Sequence, residues 1–296
     1  MLLGDYAAAW RQSDAIDSRG RPDPNRFWDG ETFHGKHVMV RCLHGLGDTL
    51  QFIRFLPRIR VEARTLTLEA QPSLMTLLAE SFQLKSLGVD HLMTWGDAEP
   101  AWDTQIEINE VPRILRVEER DLAENVPYLT IRHKARERRQ GEPFRVGLVW
   151  AAGDFNPARS IPAALFDSLF DLPEVRFYSL QGGAQITESA RWDGQVTALT
   201  RPGSSILDLA RFMLDLDLIV TVDTMAAHFA GALGQPTWIL LQHTSDWRWM
   251  LQRMDTPWYP SARLFRQSSS GDWNSVLEAV KHELQRVSRQ QRLPAD

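Results

Sequence analysis

The sequence predicts an α/β protein of two domains, each built on a parallel sheet. Its 296 residues exceed the usual size of a single domain. Short apolar runs at 218–222 and 237–241 lack the alternation of half-exposed strands, as expected of parallel strands covered on both faces. Helical patterns follow several of these runs and end near Gly or Pro. A charged segment at 133–145 separates two such series, which indicates a linker or a solvated edge.

The composition is that of a globular protein and argues against several classes. Hydrophobic residues make up 43% and charged residues 24% of the chain, and the net charge of −5 argues against nucleic acid as the main partner. Cys42 is the single cysteine, so an internal disulfide and a Cys-based zinc site are excluded, and we expect a buried, inert thiol. No apolar run reaches the ~18 residues of a membrane span, and no signal-peptide pattern opens the sequence. We therefore expect a cytoplasmic protein without an integral membrane segment.

Residues 1–35 are predicted to form a short helix followed by an irregular arm. Tyr6 and Trp10 lie four residues apart and can form one apolar edge of the helix. The segment 18–30 is rich in Pro, Gly, Asp and Arg, and we expect Phe27 and Trp28 to anchor it. The isolated helix is interpreted as the end of a helical array. Eleven tryptophans in the whole chain slightly favour a carbohydrate or nucleotide site.

The first domain, assigned to 36–140, contains a glycine-rich turn of functional interest. A strand at 37–43 runs into HGLGD at 44–48, followed by a helix predicted at 49–59. Gly45 and Gly47 permit close approach of a ligand to the backbone. Asp48 is predicted at the helix N-cap, where it is either a simple cap or a carboxylate that accepts a proton from a hydroxyl. Further predicted elements are strands at 65–70, 90–95 and 104–108 and a helix at 72–82.

The second domain, assigned to 141–272, begins with a strand at 146–150 and a polar loop. Arg159 and Ser160 end this loop before a helix predicted at 162–172. An arginine there either pairs with a diphosphate or is merely solvated. The remaining predictions are strands at 175–181, 195–199 and 263–266, a helix at 204–214, and a C-terminal unit at 273–296 with an amphipathic helix at 273–287.

The stretch 218–242 is the strongest candidate for a ligand site. Asp223 is predicted to cap a helix at 224–233 that follows a buried strand. Such a strand-to-helix turn presents backbone N–H groups and the positive helix end to a phosphate. Thr224 and His228 lie four residues apart and therefore share one helix face. The alternatives are a capping threonine and a satisfied, partly buried histidine.

Several ordered motifs resemble glycosyltransferase family 9, the heptosyltransferase-like enzymes. GLGDTLQFIRFLP and TVDTMAAHFAGALGQPTWILL carry this resemblance. The chain is still more similar to glycosyltransferase modules that follow tetratricopeptide repeats in bacterial proteins. The shared features are Tyr6 with Trp10-Arg11, the W-D-G arm at 28–30, GLVWA, RSIP, DWRW at 246–249 and a segment at 256–260.

The resemblance implies a GT-B architecture, in which two Rossmann-like domains face each other across a cleft. The first domain would bind the acceptor (a glycan, lipid-linked glycan or protein), and the second would bind a nucleotide-diphosphate sugar. The last helix would return towards the first domain. The resemblance also implies an inverting reaction with no catalytic metal and no cofactor besides the co-substrate.

Site residues are carried over by position from the matching motifs. Asp48 would be the general base, and the donor would be held by Asp223, Thr224, His228, Arg159 and Ser160. His44, Gly45, Gly47 and Gln51 are candidates for the acceptor side. His44 departs from the related modules, which have Glu-Gln before GLGD. A non-catalytic nucleotide-sugar-binding or protein-interaction module and a sugar-nucleotide epimerase are the alternatives.

Overall fold

The computed structural model describes residues 1–17, 26–81, 84–123, 125–134, 136 and 141–290. Parts of the predicted arm (18–25), of the linker (135 and 137–140) and of the C-terminal unit (291–296) lie outside these ranges. In chain order the helices and strands are α1 (Tyr6–Asp17), β1 (His37–Arg41), α2 (Leu46–Phe52), α3 (Leu56–Arg60), β2 (Thr65–Ala70), α4 (Met75–Glu80), β3 (His91–Thr94), β4 (Thr104–Glu107), α5 (Val111–Ile114), β5 (Phe144–Val149), β6 (Val175–Ser179), β7 (Val196–Ala198), α6 (Ile206–Leu214), β8 (Leu218–Val222), α7 (Met225–Ala232), β9 (Thr237–Leu241), β10 (Ala262–Arg266) and α8 (Trp273–Gln290).

Two parallel sheets organise these elements, as the sequence predicts. The first has the order β3-β2-β1-β4 and the second the order β10-β9-β8-β5-β6-β7. Every strand pair in both sheets is parallel. The strand order reverses between β1 and β4 in the first sheet and between β5 and β8 in the second. Ligands of open α/β sheets bind beyond the carboxyl ends of the strands at such reversals.

Several helix boundaries differ from the predictions. The helix predicted to follow HGLGD begins inside this motif, at Leu46, with Gly45 as its N-cap. Asp48 therefore lies in the first turn rather than at the cap. Its predicted continuation to 59 is split by a 3₁₀ turn at Ile53–Phe55. Thr224, not Asp223, is the N-cap of α7.

Two more predicted helices are partly or wholly 3₁₀ in the structure. The helix expected at 72–82 opens with a 3₁₀ turn at Pro72–Leu74. The one expected at 162–172 is 3₁₀ over Ala163–Leu169. By contrast, α6 is a regular α-helix capped by Ser205, whose side chain accepts a hydrogen bond from the Asp208 N–H.

The N-terminal helix and arm lie against the first domain. Tyr6 and Trp10 are both buried, and the Trp10 indole donates a hydrogen bond of 2.8 Å to the Val117 carbonyl. The Phe27 N–H donates to the Glu110 carboxylate at 3.0 Å, and Trp28 packs against the core. The anchoring role expected of Trp28 is therefore confirmed, whereas the contact of Phe27 is made by its backbone N–H.

Helix α8 lies on the second sheet, whereas the resemblance implied a return towards the first domain. Its buried side chains Trp273, Val280 and Leu284 share an apolar core with Val146 and Phe166 of the second domain. Arg263 on β10 also forms an ion pair with Glu283 of the helix. The apolar face of α8 is thus buried against the second domain. None of the helices in the described ranges is both long and apolar enough to cross a membrane.

A larger apolar core crosses from one domain to the other. It contains Leu50 and Leu77 of the first domain together with Met213, Phe229 and Leu241 of the second. Helices α2 and α7 are in direct contact. Burial of this shared apolar surface holds the two sheets together with their carboxyl edges facing one cleft.

Candidate active site

A cavity of about 640 Å³ lies where the two sheets face each other. It is lined by residues that follow five different strands, β1, β4, β5, β8 and β9. The lining residues are His44, Gly45, Leu46, Gly47, Asp48, Asn109, Gly153, Phe155, Arg159, Asp223, Thr224, Met225, His228, Asp246 and Arg248. The cavity is therefore placed at the strand-order reversals of both sheets.

Asp48 enters the cavity from the first turn of α2 and pairs with an arginine of the second domain. Its Oδ1 accepts a hydrogen bond from Arg248 Nη2 at 2.6 Å. Both side chains are largely shielded from water, with 25% and 15% of their surfaces exposed for Asp48 and Arg248. A charge-assisted contact of this length fixes the orientation of the carboxylate.

The guanidinium of Arg248 is held on several sides. It donates from Nε to Gln51 Oε1 at 2.7 Å and from Nη1 to Asp246 Oδ1 at 3.0 Å. The rings of Phe52 and Trp247 lie 5.3 and 5.0 Å from its central carbon. Gln51, an acceptor candidate in the sequence, is fully buried and outside the cavity lining. In the structure it supports Arg248.

The glycine-rich turn forms the first-domain wall of the cavity. His44, Gly45 and Gly47 all line it. A Cβ added at Gly47 would lie 3.0 Å from His228 Cδ2 and 3.4 Å from Met225 Cα. Glycine is therefore favoured at position 47, because the second domain approaches the backbone closely there.

A buried glutamate supports the start of the same turn. The carboxylate of Glu107 accepts hydrogen bonds from the Leu43 and Asn109 N–H groups at 3.3 and 2.6 Å. Burial raises the pKa of Glu107, and the nearby Asp48 carboxylate adds to this effect. We assign Glu107 a structural role, because its oxygens are occupied by backbone donors.

The opposite wall is formed by the start of α7. Thr224 lines the cavity and occupies the N-cap position of α7, but its side chain makes no capping hydrogen bond. Asp223, which directly follows β8, is 4% exposed, and burial raises the pKa of its carboxyl. Arg159 lies 3.7 Å from that carboxylate and opposes the shift. The Nε of Arg159 is buried and has no hydrogen-bond partner among the described residues.

His228 is buried behind Thr224 on the same helix. Its Nδ1 lies 3.0 Å from the hydroxyl of Tyr259, and its ring stacks on Trp249 with centroids 5.3 Å apart. Burial lowers the pKa of His228 well below the usual value, and the charge of Arg248 acts in the same direction. The imidazole is therefore neutral at physiological pH.

Ser160 lies outside this cavity. Its hydroxyl accepts a hydrogen bond from the Ala152 N–H at 3.0 Å, which shapes the loop after β5, and it lines a smaller neighbouring cavity of about 300 Å³. A further cavity of about 570 Å³ adjoins the main one and shares Leu46, Gly153, Thr224 and Met225 with it. In the described part of the chain, no three His, Cys, Asp or Glu side chains are grouped closely enough to hold a metal ion.

Seven lining residues were not identified as site candidates from the sequence: Leu46, Asn109, Gly153, Phe155, Met225, Asp246 and Arg248. Arg248 and Asp246 belong to the DWRW segment, which the sequence singles out only as part of a shared motif. That motif was the available signal for a functional arginine. Nothing in the local pattern around Asn109 or Phe155 distinguishes them from other loop residues.

Comparison with known proteins gives one curated relative and several solved structures. No protein-family model matches the chain. The chain is 26% identical over 318 residues to Protein FlbA of Caulobacter vibrioides, with 95% of this chain and 52% of FlbA aligned. The chain thus spans about half the length of this relative.

The solved structures are glycosyltransferases. A glycosyltransferase of family 9 from Veillonella parvula superposes with a TM-score of 0.57 at 12% identity, covering 90% of this chain and 99% of that one. The ADP-heptose LPS heptosyltransferase II of E. coli gives 0.56 at 16% identity, covering 87% and 100%. E. coli heptosyltransferase WaaC with ADP gives 0.53 at 13% identity, covering 86% and 99%. The chain therefore has the GT-B fold of the heptosyltransferase-like enzymes of glycosyltransferase family 9.

Proposed function

We propose that this chain is an inverting, metal-independent glycosyltransferase that moves a sugar from a nucleotide-diphosphate sugar to an acceptor hydroxyl. The observation that carries the proposal is that Asp48 and Thr224 line one cavity from opposite domains. One wall thus offers a carboxylate and the other a helix N-terminus. This is the pair of groups that such a displacement requires.

Asp48 is the general base of the proposed reaction. It takes the proton of the acceptor hydroxyl while the hydroxyl oxygen forms a bond to the anomeric carbon. The bond from that carbon to the phosphate oxygen breaks, and the nucleoside diphosphate leaves with the electron pair. Arg248 holds one carboxylate oxygen of Asp48, so the other oxygen, Oδ2, is the one that takes the proton.

The departing diphosphate is stabilised at the start of α7. Backbone N–H groups and the positive end of the helix meet the growing negative charge there. The Arg159 guanidinium, with its unpartnered Nε, turns from its long contact with Asp223 to a phosphate oxygen. Burial makes Asp223 easier to protonate, which reduces its repulsion of the phosphates.

The adjoining cavity is our candidate for the nucleoside. It meets the main cavity at the start of α7, where Thr224 is the N-cap and Met225 is the first residue of the helix. A diphosphate at that helix end would extend into both cavities, with the sugar on the side of Asp48. The WaaC structure with ADP shows that a chain of this fold accepts a nucleoside diphosphate.

A thermal-shift panel of ADP-, UDP-, GDP- and CDP-linked sugars tests the proposal. A compound that binds only the folded chain at 100 times its Kd stabilises it by about 2.7 kcal/mol. We expect one nucleotide to stand out, followed by sugar transfer or slow donor hydrolysis. If no compound in the panel shifts the transition, the proposed function is wrong.

A non-catalytic nucleotide-sugar-binding module is the second candidate. The ion pair between Arg248 and Asp48 favours it, because the guanidinium already occupies one oxygen of the carboxylate that would have to act as base. Binding without any turnover, in the presence of acceptor glycans, would support this module over the enzyme.

A further inference from the structure

Two tryptophans of the first domain are exposed, although residues of this type are largely buried on average. Trp95 and Trp102 have 43% and 39% of their surfaces open to solvent, whereas the other tryptophans of the chain are buried or half-buried. Both lie in the segment 95–103, which joins the parallel strands β3 and β4 without a helix, although such crossovers usually contain one. Neither ring lines the cavity between the domains.

The segment 95–103 lies on the face of the first sheet that points away from the helices. Val40 of β1 points into the apolar core to which the helices of the first domain contribute, so its neighbour Arg41 points the other way. The Arg41 guanidinium donates to both oxygens of Glu99 at 2.9 Å, and its central carbon lies 6.0 Å from the Trp102 ring. The ion pair thus fastens the segment to the outer face of the sheet.

Trp95 is fixed at the carboxyl edge of the same sheet. It directly follows β3, yet its indole N–H donates at 3.2 Å to the carbonyl of Cys42, which directly follows β1. Since β2 lies between these strands and neighbouring strands are about 4.8 Å apart, the indole reaches across the carboxyl end of β2. Leu43, the residue after Cys42, is also exposed, and His44 after it lines the cavity. The exposed ring of Trp95 is therefore a neighbour of the glycine-rich turn, just outside the cavity.

A charged pair that can accept a further hydrogen bond lies beside the two indoles. Glu99 is held by Arg41 and also accepts from the Trp102 indole at 3.0 Å, and these contacts lower the pKa of Glu99 to about 2, so it stays ionised. An ionised carboxylate has about four acceptor positions, and its three hydrogen bonds to these partners leave one for a hydroxyl. Flat apolar rings beside fixed polar groups match a pyranose, which has an apolar face of C–H groups and a rim of hydroxyls. The surface formed by these residues is the outer strip: Trp95, Trp102, Arg41 and Glu99.

We propose that the outer strip is a subsite for the sugar chain of the acceptor. The inference rests on the proposed function and narrows its acceptor to a glycan of at least two rings. The reacting ring enters the cavity beside Asp48, and the next ring leaves past the glycine-rich turn and stacks on Trp95. A protein partner is disfavoured, because its interface would require an uncharged apolar centre, and here the charged pair of Arg41 and Glu99 separates the apolar rings.

Glycan binding tests the outer strip without any donor. The fluorescently labelled full chain is applied to an array of immobilised bacterial oligosaccharides and single sugars, and each glycan that binds is titrated by calorimetry. We expect binding only to glycans of two or more rings, with about tenfold weaker binding in Trp95→Ala and in Trp102→Ala. Trp95→Phe, which keeps a flat ring at the cleft, should retain most of the affinity.

The matched control is Val61→Ala. Val61 is an exposed apolar side chain at the end of α3 and lies outside the outer strip, so its removal should leave glycan binding unchanged. The melting temperature and the circular dichroism of each variant show whether it is folded, and the exposure of both indoles predicts that it is. Unchanged glycan binding in Trp95→Ala, or no binding to any glycan of the array, overturns the subsite.

Kinetics with a glycan acceptor separate the outer strip from the cavity. Trp95→Ala should raise the KM for this acceptor about tenfold and leave kcat and the donor KM unchanged, because the ring lies away from the reacting atoms. A single-ring acceptor cannot reach Trp95 from the cavity, so its KM should not respond to the substitution. Equal effects on short and long acceptors contradict the binding mode.

The subsite and the proposed function fail separately. Donor binding in the thermal-shift panel without binding to any glycan retains the transferase and overturns the subsite. Glycan binding without a donor shift overturns the proposed function and, with it, the acceptor role of the outer strip. A polypeptide that binds in place of glycans, and is lost in Trp95→Ala, would assign the outer strip to a protein and overturn the sugar chain.

Discussion

Asp48 and Arg248 are 200 residues apart in the chain, yet the carboxylate oxygen Oδ1 of one lies 2.6 Å from the Nη2 of the other. The two residues belong to different domains, and they lie in the segments that follow β1 and β9. The ion pair thus joins the two walls of the cleft at the atom to which we assign the proton transfer. Four predictions follow from this site and its surroundings.

Replacing the proposed base should slow turnover strongly and leave donor binding unchanged. Asp48→Asn removes a proton acceptor without a change of volume, so we expect transfer to fall about 10²–10⁴-fold. The thermal shift given by the donor should persist. Asp97→Asn is the control, since this carboxylate lies in an exposed turn after β3, where it accepts the Thr94 N–H. Normal turnover in Asp48→Asn would show that another group is the base.

Arg248→Lys should destabilise the fold although the charge is kept. A lysine cannot bridge Asp48, Asp246 and Gln51 at once, so buried acceptors are left unpaired, and we expect a loss of about 1–3 kcal/mol in urea unfolding. A double-mutant cycle with Asp48→Asn should give a coupling energy of about 0.5–3 kcal/mol.

The control for that substitution is Arg253→Lys in the same loop. Arg253 pairs with Asp255 and Glu119 on the surface, and exposed pairs of this kind contribute about 0–1 kcal/mol. Equal losses of unfolding free energy in the two variants would mean that burial does not increase the contribution of Arg248 to stability.

Gly47→Ala should push the domains apart at the floor of the cavity. The added Cβ would meet His228 Cδ2 at 3.0 Å, and overpacking of this kind costs about 1–3 kcal/mol. Donor binding should weaken with it. Gly182→Ala is the control for stability, because a Cβ there meets no atom within 4 Å. Similar melting temperatures for the two variants would argue against the tight approach.

Stability should decline in acid partly through His228. The folded pKa of this imidazole is lowered by burial, so below about pH 6.5 the unfolded chain takes up a proton that the folded chain does not. The stabilisation is fully present above that pH and is lost as pH falls, by at most about 1.4 kcal/mol per pH unit. Urea unfolding of wild type and His228→Asn at pH 7.5 and 5.5 measures the difference. Parallel declines would indicate that His228 titrates normally.

The sequence was sufficient to predict the candidate site residues that lie just after the ends of strands. Gly47, Asp48 and Thr224 were found because apolar strands followed by turns mark the carboxyl edge of a parallel sheet. Periodicity also identified the shared face of Thr224 and His228. These features are local, since each depends on a few neighbouring residues.

The missed and misplaced residues depend on contacts between distant segments. Arg248 enters the site because the loop after β9 crosses to the first domain, which no local pattern encodes. Gln51 lies one helical turn after Asp48, as a cavity residue would, but its side chain turns to Arg248 and is fully buried. Whether such a face meets solvent or a partner helix is decided by the packing of α2 against α7.

The apolar core that contains both Leu50 and Phe229 limits how this cleft can work. A wide hinge-bending motion would have to expose that interior to water, and a large apolar interface resists such a rotation. Entry and exit of reactants must then depend on local rearrangement at the rim. The loop after β5, with Phe155 almost fully exposed at the mouth, is the segment best placed for it.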